Sequence, residues 1–237
     1  MSFPLVLLGG TLCDVRLWQG VMDELPEEIP VSVLIPGYAD NWDDEIAYLL
    51  SQLPEKCILV GFSLGGIAAL AIAQRAPKQI EKLILIASTS RDDPPESQQK
   101  RQEILKQARL ARNTGYLGKQ LIAENERRTL LPDTLNIITR MADEMPLEQF
   151  SNQVSLACNR VDSRPWLQST LLPIIIIYGD RDSFCPADRQ HEIHLLVKNS
   201  QIFNIAEGGH WLPLSHPVEL ANLLIKQLDS QVSLSFL

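Results

Sequence analysis

A serine sits between two glycines in the stretch Gly61-Phe62-Ser63-Leu64-Gly65-Gly66, and the chain changes character at that serine. Residues 57–61 are apolar and read as a buried strand, whereas residues 67–76 are small and apolar and read as a helix. A strand that turns into a helix with almost no arc strains its corner residue and lifts that side chain above the sheet edge. Glycines two positions away on each side let the two elements pass closely. The helix N-terminus points unpaired N–H groups and a partial positive charge at any anion formed beside the serine. Ser63 is therefore a candidate nucleophile for acyl transfer.

A serine hydroxyl is a weak nucleophile without a base beside it. The chain has four histidines, at 191, 194, 210 and 216. His210 follows an apolar run at 201–205 in the loop Glu207-Gly208-Gly209-His210-Trp211, where two glycines allow the chain to bend back over a sheet edge. His216 precedes Pro217 at a helix start and reads as a cap or surface residue. His191 and His194 share a helix face but have no third ligand at usable spacing, so no metal is expected. A base of this kind needs a carboxylate to fix its tautomer. The four isoleucines at 174–177 lead into Tyr178-Gly179-Asp180-Arg181-Asp182. Asp182 lies further out along the loop and is the stronger candidate; Asp180 is the alternative, and Asp92 and Asp93 are more remote ones. An oxyanion requires two N–H donors set in advance. One is Leu64; the other belongs to the turn Gly9-Gly10-Thr11-Leu12, with Thr11 favoured over Leu12.

These residues need a scaffold that brings distant segments to one rim. Strands are expected at 3–8, 31–35, 57–61, 83–87, 174–178 and 201–205. Asp14 can cap a helix with Val15, Trp18, Val21 and Met22 on one face. Residues 40–53 have helical periodicity through Trp42, Ile46, Leu49 and Leu50, and a last helix covers 217–228. Alternating strands and helices with apolar central strands signal an α/β protein with a mainly parallel six-stranded sheet covered on both faces. From 90 to 170 the alternation stops: only helical patterns occur, at 98–112, 117–127, 133–143 and 147–160. The organisation expected is a core of 1–89 and 171–237 with an all-helical cap, 90–170, inserted over the strand ends as a lid. The tail from 231 alternates apolar and polar residues and can pair with a sheet edge or fray.

Composition narrows the options. The chain has 237 residues, 45% hydrophobic and 21% charged, with a net charge of −8, which disfavours a general nucleic-acid surface. No run of 18 apolar residues is present, so no membrane span is expected. The amino-terminal residues lack the basic flank of a secretory leader. Cys13, Cys57, Cys158 and Cys185 have no CxxC spacing and read as free thiols, consistent with a cytoplasmic setting. The stretch 96–128 carries Lys100, Arg101, Lys106, Arg109, Arg112, Lys119, Arg127 and Arg128 against Glu96, Glu103, Glu124 and Glu126. That basic excess is either a solvated helix face or a docking surface for an anionic substrate or acidic carrier. Trp211, and with it Leu12 and Trp166, are candidates for the pocket lining; Leu105, Leu110, Leu117 and Leu121 fit either a pocket or cap packing.

Taken together, the oxyanion turn, the Gly61–Gly66 elbow, the acid at Asp182 and the base at His210 resemble the α/β-hydrolase superfamily over nearly the whole length, in its Ser…Asp…His order. Within it the helical cap and Ser-Leu-Gly-Gly elbow are similar to small bacterial carboxylesterases, including those that demethylate a pimeloyl ester on a carrier protein. The resemblance implies a cofactor-free serine hydrolase acting on a small-molecule or carrier-linked carboxylic ester. Ranked below it as alternatives are a thioesterase, an acyltransferase or a lyase and, with least support, a ligand-binding homologue. The elbow also resembles that of the menaquinone-pathway lyase of this fold, where arginine typically follows it; this chain has Ile67, which ranks the lyase lower. Two departures stand out: Gly9 replaces a histidine that usually braces the oxyanion loop, and the chain begins at what would be the third strand of the fold.

Overall fold

The computed structural model describes residues 3–124 and 126–228. The alternating tail from 231 lies outside them. Six strands, β1 (Leu5–Leu8), β2 (Val31–Leu34), β3 (Cys57–Phe62), β4 (Ile80–Ile86), β5 (Ile174–Gly179) and β6 (Ser200–Ile205), form one sheet ordered β2-β1-β3-β4-β5-β6. Every neighbouring pair is parallel. The helices are α1 (Gln19–Met22), α2 (Trp42–Gln52), α3 (Leu64–Arg75), α4 (Pro95–Ala111), α5 (Gly115–Gln120), α6 (Pro132–Glu144), α7 (Leu147–Cys158), α8 (Arg164–Leu167), α9 (Ala187–Leu196), α10 (Leu212–Ser215) and α11 (Pro217–Leu228). No helix among the described residues is long and apolar enough to cross a membrane.

Strand side chains alternate between faces, and a parallel sheet covered twice needs both sets apolar. Leu5, Leu7, Val60, Ile84, Ile175 and Ile177 join Trp18, Val21, Leu220 and Leu224 on one face. Val6, Leu8, Leu59, Leu83, Leu85 and Ile176 join Leu49, Ala68, Ala69, Ile72 and Ile193 on the other. Helices α1 and α11 thus cover one side, and α2, α3 and α9 the other. The chain winds outward from β1 to β2, then returns past β1 to build β3 onwards. That reversal leaves a crevice at the carboxyl ends of β1 and β3, where open parallel sheets take their ligands. Over it lies the insertion α4–α7, in which α4 packs on α7 and α5 on α6, while α8 packs against α9 on the α3 side of the sheet. The insertion has its own apolar cluster of Leu105, Ala108, Leu117, Ala142, Met145, Phe150 and Val154, and Leu12 from the oxyanion turn is buried in it.

Several boundaries differ from those read in the sequence, for physical reasons. Strand β4 begins at Ile80 because backbone pairing with β3 carries through the half-buried Glu81 and Lys82. It ends before Ala87, which turns to φ 47°. Val15 does not face the core but is 54% exposed. It starts a single 3-10 turn, Val15–Trp18, capped by Asp14, and a three-residue period moves the stripe off the α-helical positions. The helix expected at 117–127 is broken into α5 and a separate 3-10 turn, Glu126–Arg128. Tertiary contacts override the periodicity there: the Trp211 indole N–H donates to the Leu121 carbonyl at 3.1 Å, and Glu126 turns inward. Trp166 does not line the site; it lies on α8 against the cluster of the α3 side of the sheet.

Candidate active site

The turn from β3 to α3 holds Ser63 at φ 53° and ψ −115°, a conformation rare for a residue with a Cβ. The surroundings enforce it. The Ser63 N–H donates to the Ile86 carbonyl at 3.0 Å, and the Ser88 hydroxyl donates to the Ser63 carbonyl at 2.8 Å. A Cβ at Gly61 would collide with the backbone of Gly65 and Gly66, and one at Gly65 with the carbonyls of Leu8 and Gly9. Close passage of strand and helix is therefore possible only with glycine at both positions.

Loops after β5 and β6 bring the remaining groups to the same rim. His210 Nε2 lies 3.1 Å from Ser63 Oγ, and His210 Nδ1 lies 2.8 Å from Asp182 Oδ2. The other Asp182 oxygen accepts the N–H groups of Phe184 at 2.8 Å and Cys185 at 2.9 Å. This network assigns the Nδ1–H tautomer to His210, leaving Nε2 to accept from the serine hydroxyl. Phe62 and Phe184 flank the imidazole, with ring centroids at 5.0 and 5.2 Å. Asp180, by contrast, is exposed. Asp93 is buried and engaged elsewhere, in ion pairs with Arg160 at 2.7 Å and Arg101 at 3.0 Å.

Burial by itself would raise the Asp182 carboxyl, but the attraction of His210 and the hydrogen bonds from His210, Cys185 and Phe184 outweigh it and hold it below the usual value. For a depressed carboxylate, the linked stability is fully present above the unfolded value of about 3.9 and is lost as pH falls through the lower native value. Thermal melts between about pH 4 and pH 2 are therefore expected to show a shallower loss of stability in Asp182→Asn than in the native chain. An equal slope in both would contradict this assignment.

A cavity of about 350 Å³ is lined by Ser63 and His210 together with Thr11, Leu12, Ile67 and Trp211. Leu117 and Leu121 reach it, whereas Leu105 is in the insertion cluster and Leu110 is 72% exposed. Lys100, Arg101 and Arg160 border it. In the turn after β1, Cys13 N–H bonds back to the Gly10 carbonyl at 3.3 Å, with Leu12 at φ 56°. The Leu12 N–H is engaged by Gln153 Oε1 at 2.9 Å. Among the described residues, the N–H groups of Thr11 and Leu64 have no acceptor.

A sequence profile of the alpha/beta hydrolase family matches residues 5–223. The chain belongs to that family. This α/β-hydrolase is 30% identical over 240 residues to the biotin biosynthesis bifunctional protein BioHC of Cellvibrio japonicus, covering 91% of the chain but 45% of the relative. The chain thus spans about half the length of the bifunctional relatives it matches. It is 25% identical over 245 residues to the pimeloyl-[acyl-carrier protein] methyl ester esterase of Aliivibrio salmonicida, covering 96% of the chain and 92% of the relative. In fold it is similar to a thermophilic esterase from Thermogutta terrifontis, with a TM-score of 0.84, 24% identity, and coverage of 96% of this chain and 90% of that one.

Two buried polar side chains of this α/β-hydrolase were not anticipated from sequence. Gln153 of α7 accepts from Leu12 N–H and donates to the Pro36 carbonyl at 2.9 Å, so it braces the turn that lacks the usual histidine. Its signal was available: it lies among Phe150, Val154 and Ala157 on an apolar helix face. Replacing Gln153 by alanine leaves a buried N–H without a partner, at a cost of about 1–3 kcal/mol, which urea unfolding will read. The second residue, Glu126, belongs to the 3-10 turn and has no comparable sequence signal. The remaining histidines are occupied elsewhere: His191 Nε2 contacts the Tyr178 hydroxyl at 3.2 Å, His194 Nδ1 the Ser200 hydroxyl at 2.8 Å and His216 Nδ1 the Ser215 hydroxyl at 2.8 Å. Potential ligand atoms of Asp182, Cys185 and His210 come within 4.8 Å of one another, but a cation there would have to displace the proton shared by Asp182 and His210. Loss of solvent around the Cys185 thiol pushes it up, away from the thiolate a metal would need.

Proposed function

We propose that this chain is a serine hydrolase of carboxylic esters, with Ser63 as nucleophile, His210 as base and acid, and Asp182 as the group that orients His210. The observation that carries this reading is the unbroken hydrogen-bond path from Ser63 Oγ through His210 to Asp182 at 3.1 and 2.8 Å, bordering a cavity. Ser63 attacks the ester carbonyl as its proton passes to His210 Nε2. The free N–H groups of Leu64 and Thr11 receive the oxyanion, a contribution typically of ~3 kcal/mol per donor. His210 then protonates the departing alkoxide, and in the second half-reaction it takes a proton from the water that releases the acid.

On the substrate side, the curated relatives support a carrier-linked ester, and the helical insertion acts as a lid over the acyl group. Ile67, not a cation, follows the elbow and lines the cavity, which favours ester hydrolysis over the lyase alternative. The basic face of the insertion is partly neutralised: Lys106 pairs with Glu103, and Arg127 and Arg128 with Glu124. Lys100 is exposed at the cavity and has no ion-pair partner among the described residues, so it is the residue best suited to an acidic carrier.

The test compares a short p-nitrophenyl ester with a methyl acyl ester on acyl carrier protein. Turnover of both is expected, with only the carrier substrate sensitive to salt and to Lys100→Glu. Salt-independent turnover of the carrier ester would remove the docking claim, and no turnover of either would remove the esterase reading.

A further inference from the structure

Four carboxylates are buried among the described residues: Glu45, Asp93, Glu126 and Asp182. Three have evident compensation. Glu45 accepts the N–H groups of Gly37 and Ala39, Asp93 is paired with two arginines, and Asp182 is paired with His210. Glu126 is different. Only Oε1 is engaged, accepting the His210 N–H at 2.5 Å and more distantly the Trp211 N–H at 3.4 Å. Its Oε2 is buried with no partner. The neighbouring Arg127 and Arg128 reach Glu124 instead, and Arg181 across the rim reaches Glu207. Burial accordingly pushes the Glu126 carboxyl above the usual range, with His210 opposing the shift and Asp182 adding to it.

An under-satisfied buried carboxylate is costly. Here the local sequence makes room for it: a Cβ at Gly209 would overlap the Glu126 carboxylate. A methyl group at 209 would therefore fit only if the Glu126 side chain moved away from the His210 N–H. Asp182 fixes only the imidazole end of His210. The backbone of that residue follows two glycines; its carbonyl accepts the Leu212 N–H at 2.9 Å, and among the described residues its N–H is held by Glu126 alone.

We propose that Glu126 is a positioning residue for His210: by holding the His210 N–H from the insertion, it keeps the imidazole between Ser63 and Asp182 and makes that alignment depend on the insertion being seated. The proposal rests on the serine-hydrolase reading and adds to it a link between lid and base. Because the required property is an acceptor at the right place, glutamine retains most of it and alanine none. Gly209→Ala should act like loss of the carboxylate, since it drives the acceptor away without altering Glu126 itself.

The experiment measures kcat and KM on a short p-nitrophenyl ester, fluorophosphonate labelling rates, and amide hydrogen exchange at His210, for the full chain and for Glu126→Ala, Glu126→Gln and Gly209→Ala. Expected for Glu126→Ala and Gly209→Ala are a fall in kcat of about 10- to 100-fold at nearly constant KM, slower labelling, and faster exchange at His210. Glu126→Gln should recover most of kcat. Should Glu126→Ala not fold, Glu126→Gln and Gly209→Ala decide. Native kcat in folded Glu126→Ala or Gly209→Ala, or a loss in Glu126→Gln as large as in Glu126→Ala, would overturn the proposal. A native chain that neither turns over nor labels would instead defeat the serine-hydrolase reading beneath it.

Discussion

Replacing Ser63 by alanine is expected to lower kcat on any ester substrate by on the order of 10⁴- to 10⁶-fold while leaving the fold intact. The two halves of that expectation have separate causes. Among the described residues lining the cavity, this hydroxyl is the one hydrogen-bonded to a histidine, so its removal leaves water as the nucleophile and the N–H donors as the remaining catalysis. Stability changes little, by about 1 kcal/mol or less, because the Ser63 side chain makes no capping hydrogen bond to α3 and its one hydrogen bond, to His210, borders the cavity. The strain at φ 53° is carried by the backbone and by Gly61 and Gly65, and alanine bears it as serine does. Steady-state kinetics and a thermal melt on the same preparation check both halves. Turnover within tenfold of the native chain would rule out Ser63 as nucleophile.

Asp182→Asn should be nearly as damaging, by about 10⁴-fold in kcat. The asparagine oxygen can still accept the N–H groups of Phe184 and Cys185, so the loop after β5 keeps its shape. Its amide then points a donor at His210 Nδ1. That favours the tautomer with the proton on Nε2, which faces Ser63 Oγ at 3.1 Å and can no longer accept from it. Asp180→Asn, at an exposed position two residues away, is the control and should retain native kcat. Equal losses in the two variants would assign the effect to the loop and not to the carboxylate.

Much of this arrangement was legible in the sequence because each of the three groups follows its own strand closely. Ser63 sits at a corner marked by Gly61 and Gly65, Asp182 three residues past the Gly179 that ends β5, and His210 beyond Gly208 and Gly209. Apolar runs located the six strands, since a sheet buried on both faces needs uninterrupted hydrophobic segments. What stayed hidden depended on contacts between distant segments. Trp166 has the composition of a pocket residue, but α8 already belongs to the core side of the molecule. The choice between Thr11 and Leu12 turned on Gln153, 141 residues from Leu12 in the chain. Glu126 counted in the sequence as one of four acids set against eight basic residues, and only folding takes it off that surface and sets it against the base loop.

This pattern gives the insertion a larger part than covering the site. Gln153 from α7 holds the turn after β1, Glu126 holds the loop after β6, and the Leu121 carbonyl holds the Trp211 indole. The three contacts reach both halves of the rim from one helical unit. Rearrangement of that unit would therefore loosen the oxyanion turn and the base together.

The most direct measurement is covalent labelling by a fluorophosphonate followed by peptide mass analysis. The account predicts a single adduct per chain, located on Ser63, formed at a rate that drops steeply in Asp182→Asn. An unmodified Ser63 under conditions that label a control serine esterase, or an adduct at another residue, would contradict it.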